Sequence, residues 1–309
     1  MKNDLENLIK EFLEYLEVEK GRSKNTVKNY YFYLTRFAEF SEYPLPDKIT
    51  LESIRKYRLF LKGEATQEGL KKSTQNYHLI ALRSFLKFLA KKGISALSPE
   101  KIELTKTPNR QIDSLENNDI ERLLEAPLQT EEKEIIKLRD KAILELLFST
   151  GLRVSELSSL TREQVDLKKD EFAIHGKGLR LRVAPLSNQG KFWIRKYLEK
   201  RNDIAPSLFV RHDKAGGSTN PLHLTPRSIQ RIVQKYSKMA GIAKNVTPHT
   251  LRHSFAAGLL ANGADMRSVQ TIMGHSSITT TQMYTQTSIK RLKEIYNGRN
   301  QKKIDPEKK

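Results

Sequence analysis

Tyr284 follows His275 by nine residues, and upstream of both stand His249, Arg252, Lys177 and Arg153. One nucleophile therefore shares the chain with five cationic or hydrogen-bonding groups, and there is no cysteine. A free tyrosine hydroxyl titrates at about 10, so it attacks only when nearby cations hold the phenolate or a base takes its proton. These five groups can do both, which suits attack on a phosphodiester without a metal ion. The absence of cysteine also removes disulfides, thiolate metal sites and thiol nucleophiles.

The motifs around these residues say how each would be presented. In Thr247-Pro248-His249-Thr250-Leu251-Arg252-His253, Thr247 can cap a helix and Pro248 can open it, where a missing N–H costs nothing. His249 and Arg252 then share a face at the positive end of the helix dipole, a ready anion site. Arg252 can fork onto two phosphate oxygens, and His249 can pass a proton near neutral pH. His249 and His253 also have a spacing that zinc sites use. However, Thr250 stands where a metalloprotease has glutamate and Arg252 would repel a cation, so no metal is expected and His253 reads as a structural histidine. In Gly151-Leu152-Arg153-Val154-Ser155-Glu156-Leu157, a glycine turn can aim Arg153 into a cleft, with Glu156 placed to orient it. Gly176-Lys177-Gly178 reads as a hairpin tip whose glycines allow a close backbone approach, leaving Lys177 free to protonate a leaving oxygen. Arg180 and Arg182 alternate on one strand face, consistent with phosphate contacts or with solubility. Gly274 should terminate a helix just before His275. Taken singly, each fragment is weak: a capped helix, a surface arginine at a turn, a solvated turn lysine and a packed tyrosine account for them.

The elements that must hold these residues are mostly helical. Leu5, Leu8, Ile9, Phe12, Leu13 and Leu16 form one apolar stripe, ended by Gly21-Arg22-Ser23. Val27, Tyr30, Tyr31, Leu34 and Phe37 give a second helix. Thr50 caps a third, holding Leu51, Ile54, Tyr57 and Leu61. Ser73 or Thr74 caps a fourth, with Tyr77, Ile80, Ala81, Phe85 and Leu89 facing inward and Gly93 as its stop. Four helices in this span make a small bundle. They carry Lys24, Lys28, Arg83 and Lys87, candidates for a DNA-gripping face. Residues 98–112 are polar, basic and proline-marked, as in an interdomain linker. Beyond them come an apolar helix near Leu138–Phe148, an alternating pair of strands around the Gly176-Lys177-Gly178 tip, and helices near 188–202, 226–240, 248–262, 265–273 and 287–297. The expected fold is mainly α with a small antiparallel β-sheet. Its divisions are a helical N-terminal domain over 1–97, the linker over 98–112, an α+β catalytic domain over 113–297 and a polar, disordered tail over 298–309.

The charge balance points to a partner. Lys and Arg total 55 against 36 Asp and Glu, a formal net charge of +19. Such an excess usually serves a polyanion, most often nucleic acid. No apolar run approaches the roughly 20 residues that span a bilayer, and the charged start Met1-Lys2-Asn3-Asp4 is not a secretory signal. A cytoplasmic, nucleoid-associated protein with no membrane partner is expected.

The order of the fragments narrows the reading. Arg153 in G-L-R-x-S-E-L, Lys177 in G-K-G, His249 and Arg252 in H-x-L-R-H, His275 in G-H and then Tyr284 closely resemble the tyrosine recombinase (phage integrase) family, over the whole chain. With no arm-binding domain before the first helix, the size is most similar to the Xer type. The resemblance implies a core-binding domain followed by the catalytic domain. It also implies that Tyr284 attacks the scissile phosphate to give a 3′-phosphotyrosyl link, while Arg153 and Arg252 clamp the non-bridging oxygens. Lys177 would protonate the leaving 5′-oxygen, His249 act as general acid and base, His275 hydrogen-bond the phosphate, and Glu156 support the site. The covalent link keeps the phosphodiester energy, so no cofactor is implied. The partner is a double-stranded DNA recombination site, bound by a homotetramer or a heterotetramer with a paralogue that works through a Holliday junction, with a DNA translocase as a further activator. Ile289, Leu292 and Ile295 would dock on a neighbouring subunit or on the same chain. Chromosome dimer resolution leads, with integration or resolution of a mobile element or plasmid as the alternative. A type IB topoisomerase or a non-catalytic DNA-binding protein ranks below. Two departures are Arg180, where many relatives have lysine, and Gln286, where a histidine is common.

Overall fold

The computed structural model describes residues 3–42, 45–63, 69–106, 115–175, 181–212 and 223–274. The described residues are mainly α-helical with a two-stranded antiparallel sheet, as expected. It divides into two compact units, Met1–Arg110 and Gln111–Lys309.

The first unit is a helical bundle of α1 (Asn3–Val18), α2 (Lys24–Phe40), α3 (Leu51–Gly63) and α4 (Lys72–Lys91). Ser23 closes the loop after α1 and caps α2, its Oγ accepting from the Thr26 amide. Thr50 caps α3 reciprocally: the Ser53 amide donates to its Oγ1, and the Thr50 amide donates to Ser53 Oγ. Leu5, Ile9, Phe12, Leu16, Leu34, Phe37, Ile54, Tyr57, Leu61 and Phe85 form the core.

The fourth helix differs from the sequence expectation in two ways. It starts earlier, with Lys71 at the cap position and no side-chain cap. Its buried face carries His78, Leu79, Leu82 and Leu86 together with Ala81, Phe85 and Leu89, while Tyr77 and Ile80 are exposed. The helix is apolar almost all round after Tyr77, so several stripes at 3.6-residue spacing compete. The register that wins lets His78 Nδ1 pair with the buried Tyr57 hydroxyl at 2.9 Å. Tyr31 and Leu51, also expected inward, are exposed. The expected linker begins folded: Ile102 is fully buried in this core, and Asn76 brackets Thr105 through its backbone carbonyl and amide.

The second unit is built round α6 (Glu134–Thr150), which is buried on nearly every side between α5 (Asn117–Glu125), α8 (Asn188–Glu199) and α9 (Pro226–Met239). Its polar residues are paired as burial demands. Asp140 receives Arg139 Nε at 2.8 Å and the Tyr236 hydroxyl at 2.9 Å, and Lys141 reaches Glu145 at 2.9 Å. The strands β1 (Glu171–His175) and β2 (Leu181–Pro185) pair antiparallel, with Ile174 opposite Arg182. The other α-helices among the described residues are the single-turn α7 (Val154–Ser158), α10 (Pro248–Ala261) and α11 (Met266–Met273). The last two share a separate small core of Phe255, Leu259, Ala264, Val269, Ile272 and Met273. The helix expected near 287–297 and the polar tail lie outside the described residues.

Candidate active site

The site grows from the end of α6. Gly151 takes a left-handed φ of +59°, terminates that helix and turns the chain through Leu152 to Arg153. Arg153 caps α7, and the Glu156 carboxylate reaches back to it twice. Oε2 accepts from the Arg153 amide at 2.8 Å and Oε1 from its Nη1 at 2.8 Å. Residues three apart on one helical turn thus fix each other, as the Gly-Leu-Arg-x-Ser-Glu spacing predicts.

Thr247 and Pro248 open α10 as expected, the Thr247 and Thr250 hydroxyls and amides exchanging bonds at 3.1 and 3.2 Å. Arg252, one turn in, is buried. Its Nη1 donates to the Gly151 carbonyl and its Nη2 to the Met273 carbonyl. Burial and the neighbouring Arg153 and Arg182 cations pull its pKa down to about 10, still cationic at neutral pH. His249 is exposed in the first turn, and its pKa is lowered by partial burial and by Arg252 and Arg153. An imidazole there can donate or accept a proton. Its Nε2 lies 2.7 Å from His253 Nε2 with the rings nearly perpendicular, so one ring donates to the other. No third metal-ligating side chain joins this pair among the described residues.

The position of Arg182 differs from the sequence expectation. Instead of facing outward as a DNA contact, it is 5% exposed, with Nη2 on Glu156 Oε2 at 2.6 Å and Nη1 on the Ile272 carbonyl at 2.6 Å. Alternation places a strand residue on one of two faces but does not say which face is covered. Here α11 covers it. Burial pushes the Glu156 carboxyl up, but bonds from Arg182 and the Arg153 amide, with the Arg182 charge, outweigh this and hold it below its ordinary value.

The structure therefore brings Arg153, Glu156 and Arg252 together, with His249 close enough to feel both arginines, and adds Arg182 as a supporting group. Arg153 remains partly exposed, its side chain at 37%. Its Nη2 donates to the Gly274 carbonyl at 2.7 Å, and Gly274 ends α11 with a φ of +59°. Lys177, Arg180, His275 and Tyr284 lie outside the described residues.

In the first unit, Lys24, Lys28 and Lys87 are exposed and Arg83 is half-buried. Lys87 lines a shallow pocket with Lys20, Arg22, Tyr15, Thr26 and Tyr30. Sequence reasoning passed over Lys20 and Arg22 because they fall in the loop between helices, where periodicity gives no face.

Comparison with known proteins meets this geometry. The pattern of the phage integrase family matches residues 113–291, and that of the phage integrase N-terminal SAM-like domain matches residues 9–93. The chain is 36% identical over 299 residues to tyrosine recombinase XerD of Oceanobacillus iheyensis, covering 95% of this chain and 98% of that protein. It is 35% identical over 292 residues to tyrosine recombinase XerC of Thermodesulfovibrio yellowstonii, covering 94% of each. The fold is that of the Tn1549 transposon integrase, solved in complex with transposon right end DNA, at a TM-score of 0.68 and 20% identity over 93% of this chain and 98% of that one. No helix among the described residues is long and apolar enough to cross a membrane. With two domain patterns in register and near-complete coverage by its relatives, the chain belongs to the phage integrase family, the tyrosine recombinases.

Proposed function

We propose that the protein is an Xer-type site-specific recombinase that cuts and rejoins DNA through a 3′-phosphotyrosyl intermediate. The observation that carries the reading is the convergence of Arg153 and Arg252, from separate helices, beside one buried carboxylate and His249, whose pKa they help to lower. Two guanidiniums matched to one phosphate stabilise the charge that builds on its non-bridging oxygens in a pentacoordinate transition state. Tyr284 supplies the oxygen that attacks phosphorus, the 5′-oxygen leaves with its proton from Lys177, and His249 takes or returns the tyrosine proton. His275 bonds the phosphate, and Glu156 orients Arg153. The P–O5′ bond broken is replaced by a phosphotyrosyl ester that keeps its energy, so rejoining requires only attack by a new 5′-hydroxyl, with the tyrosine oxygen as leaving group.

The helical first unit serves as the core-binding domain, with Lys24, Lys28, Arg83 and Lys87 against the DNA backbone. Residues from about 113 serve as the catalytic domain. The strand exchange itself runs in a tetramer, of one chain or with a paralogue, through a Holliday junction, and resolves chromosome dimers under a DNA translocase.

Trapping tests this directly. The protein is incubated with a library of nicked duplexes without added metal, and denaturant-resistant adducts are sequenced beside Tyr284→Phe. Adducts from the wild type alone, sharing one DNA motif, support the reading. Adducts of equal yield from Tyr284→Phe refute the assignment of the nucleophile, and adducts without a shared motif refute site specificity.

A further inference from the structure

Three arginines converge on three successive carbonyls. Arg182 donates to Ile272, Arg252 to Met273 and Arg153 to Gly274, at the end of α11. A helix C-terminus leaves its last carbonyls without partners and carries partial negative charge, so it attracts cations. The fit is close: a Cβ on Gly274 would stand 3.0 Å from Arg182 Cδ and 3.5 Å from Arg153 Nη1. Arg182 also grips Glu156: its Nη2 joins the Arg153 amide on Oε2, while Arg153 Nη1 holds Oε1.

We propose that Arg182 is a positioning residue, whose planar guanidinium fastens β2, the Arg153–Glu156 pair and the end of α11 into one geometry. The inference rests on the recombinase reading and deepens it. The three fastened segments are those that lead, in sequence, to the groups of that reading. In sequence, β2 comes shortly after Lys177, α7 starts after Arg153, and Gly274 is followed directly by His275. Arg182 is itself buried, so it acts through these neighbours and not on DNA. Lysine cannot replace it, because an ammonium is a point donor and lacks the rigid fork that spans a carboxylate on one side and a carbonyl on the other.

The test uses the full chain and the nicked duplex that the wild type captures as an adduct. Arg182→Lys and Arg182→Met are compared with wild type in single-turnover adduct formation at saturating DNA, in DNA affinity, and in the fraction folded by Trp193 emission. Misplacing reacting groups by about an ångström slows chemistry roughly 100-fold, so both variants should form adduct roughly 100-fold more slowly while folded and at unchanged DNA affinity. Adduct formation by Arg182→Lys at the wild-type rate would overturn the proposal. So would a loss in both variants that merely tracks the loss of folded protein, which marks a purely structural role. No adduct from the wild type would overturn the recombinase reading and this inference with it, whereas normal wild-type chemistry with unaffected variants removes only this inference.

Discussion

Gly151→Ala should be among the most damaging single-methyl changes in the second unit, and its cost can be worked from two separable causes. Gly151 has φ +59°, where an L-residue clashes with its own following carbonyl, at roughly 1–2 kcal/mol. The added Cβ would also lie 2.5 Å from Phe255 Cδ1 and 3.1 Å from Met273 Sδ, inside the packing between α6, α10 and α11. Forcing one carbon into a packed core costs roughly 1–3 kcal/mol, giving roughly 2–5 kcal/mol in all. Gly263 provides the control: its φ is +84°, but nothing lies within 4 Å of its would-be Cβ. Gly263→Ala should therefore show only the backbone cost. The chain's 1 tryptophan, Trp193, packs on the core of the second unit, so its emission reports that unit's denaturant unfolding. Gly151→Ala should lower the unfolding free energy beyond Gly263→Ala by the packing share. It should also slow adduct formation more, because the Gly151 carbonyl is an acceptor of Arg252. Equal losses from the two variants would refute the reasoning, since the contact with Phe255 would then carry no cost.

Three further outcomes are expected. Thr247→Ala removes the acceptor of the Thr250 amide and should cost about 1 kcal/mol in the same assay, with Thr247→Ser close to wild type; an unchanged Thr247→Ala would mean that the cap contributes nothing. Burial, helped by Arg36, lowers the His78 pKa from 6.5 to about 4, so the unfolded chain takes up a proton that the folded one refuses. Its contribution is complete above pH 6.5 and fades as pH falls toward 4. The His78 ring-proton NMR shift should titrate near 4, and a midpoint near 6.5 would contradict the buried pairing with Tyr57. Binding to DNA should weaken steeply with salt, each neutralised phosphate adding roughly 0.9 to the slope of log K against log salt. Lys24→Ala or Lys87→Ala should each lower that slope by about 1, and a flat dependence in the wild type would remove the first unit from the DNA interface.

Much of the site was legible because its signals are local. Thr247-Pro248 and Gly151 act through the first or last turn of their own helices, so a few residues of sequence specify cap, dihedral and direction. Glu156 lies three residues beyond Arg153, and helical geometry alone lets them meet. The ordered set from Arg153 to Tyr284 likewise pointed to its family because it is a pattern along the chain.

What the tertiary structure decided concerns contacts between segments far apart in sequence. The register of α4 was open because nearly every face after Tyr77 is apolar, and the partner of His78 on α3 settled it. Residues 98–106 read as linker by composition, yet Ile102 finds a core and Thr105 finds Asn76. Arg182 read equally as a phosphate contact or a solvated charge, since alternation shows that side chains share a face and never what lies against it. Only the packing of α11 over β2, 90 residues on, turned that arginine inward onto Glu156 and the Ile272 carbonyl. The sequence by itself determined the functional groups and the local turns that aim them. The tertiary structure determined which cations are buried and which carbonyls and carboxylates hold them, because burial depends on what the rest of the chain lays against each face.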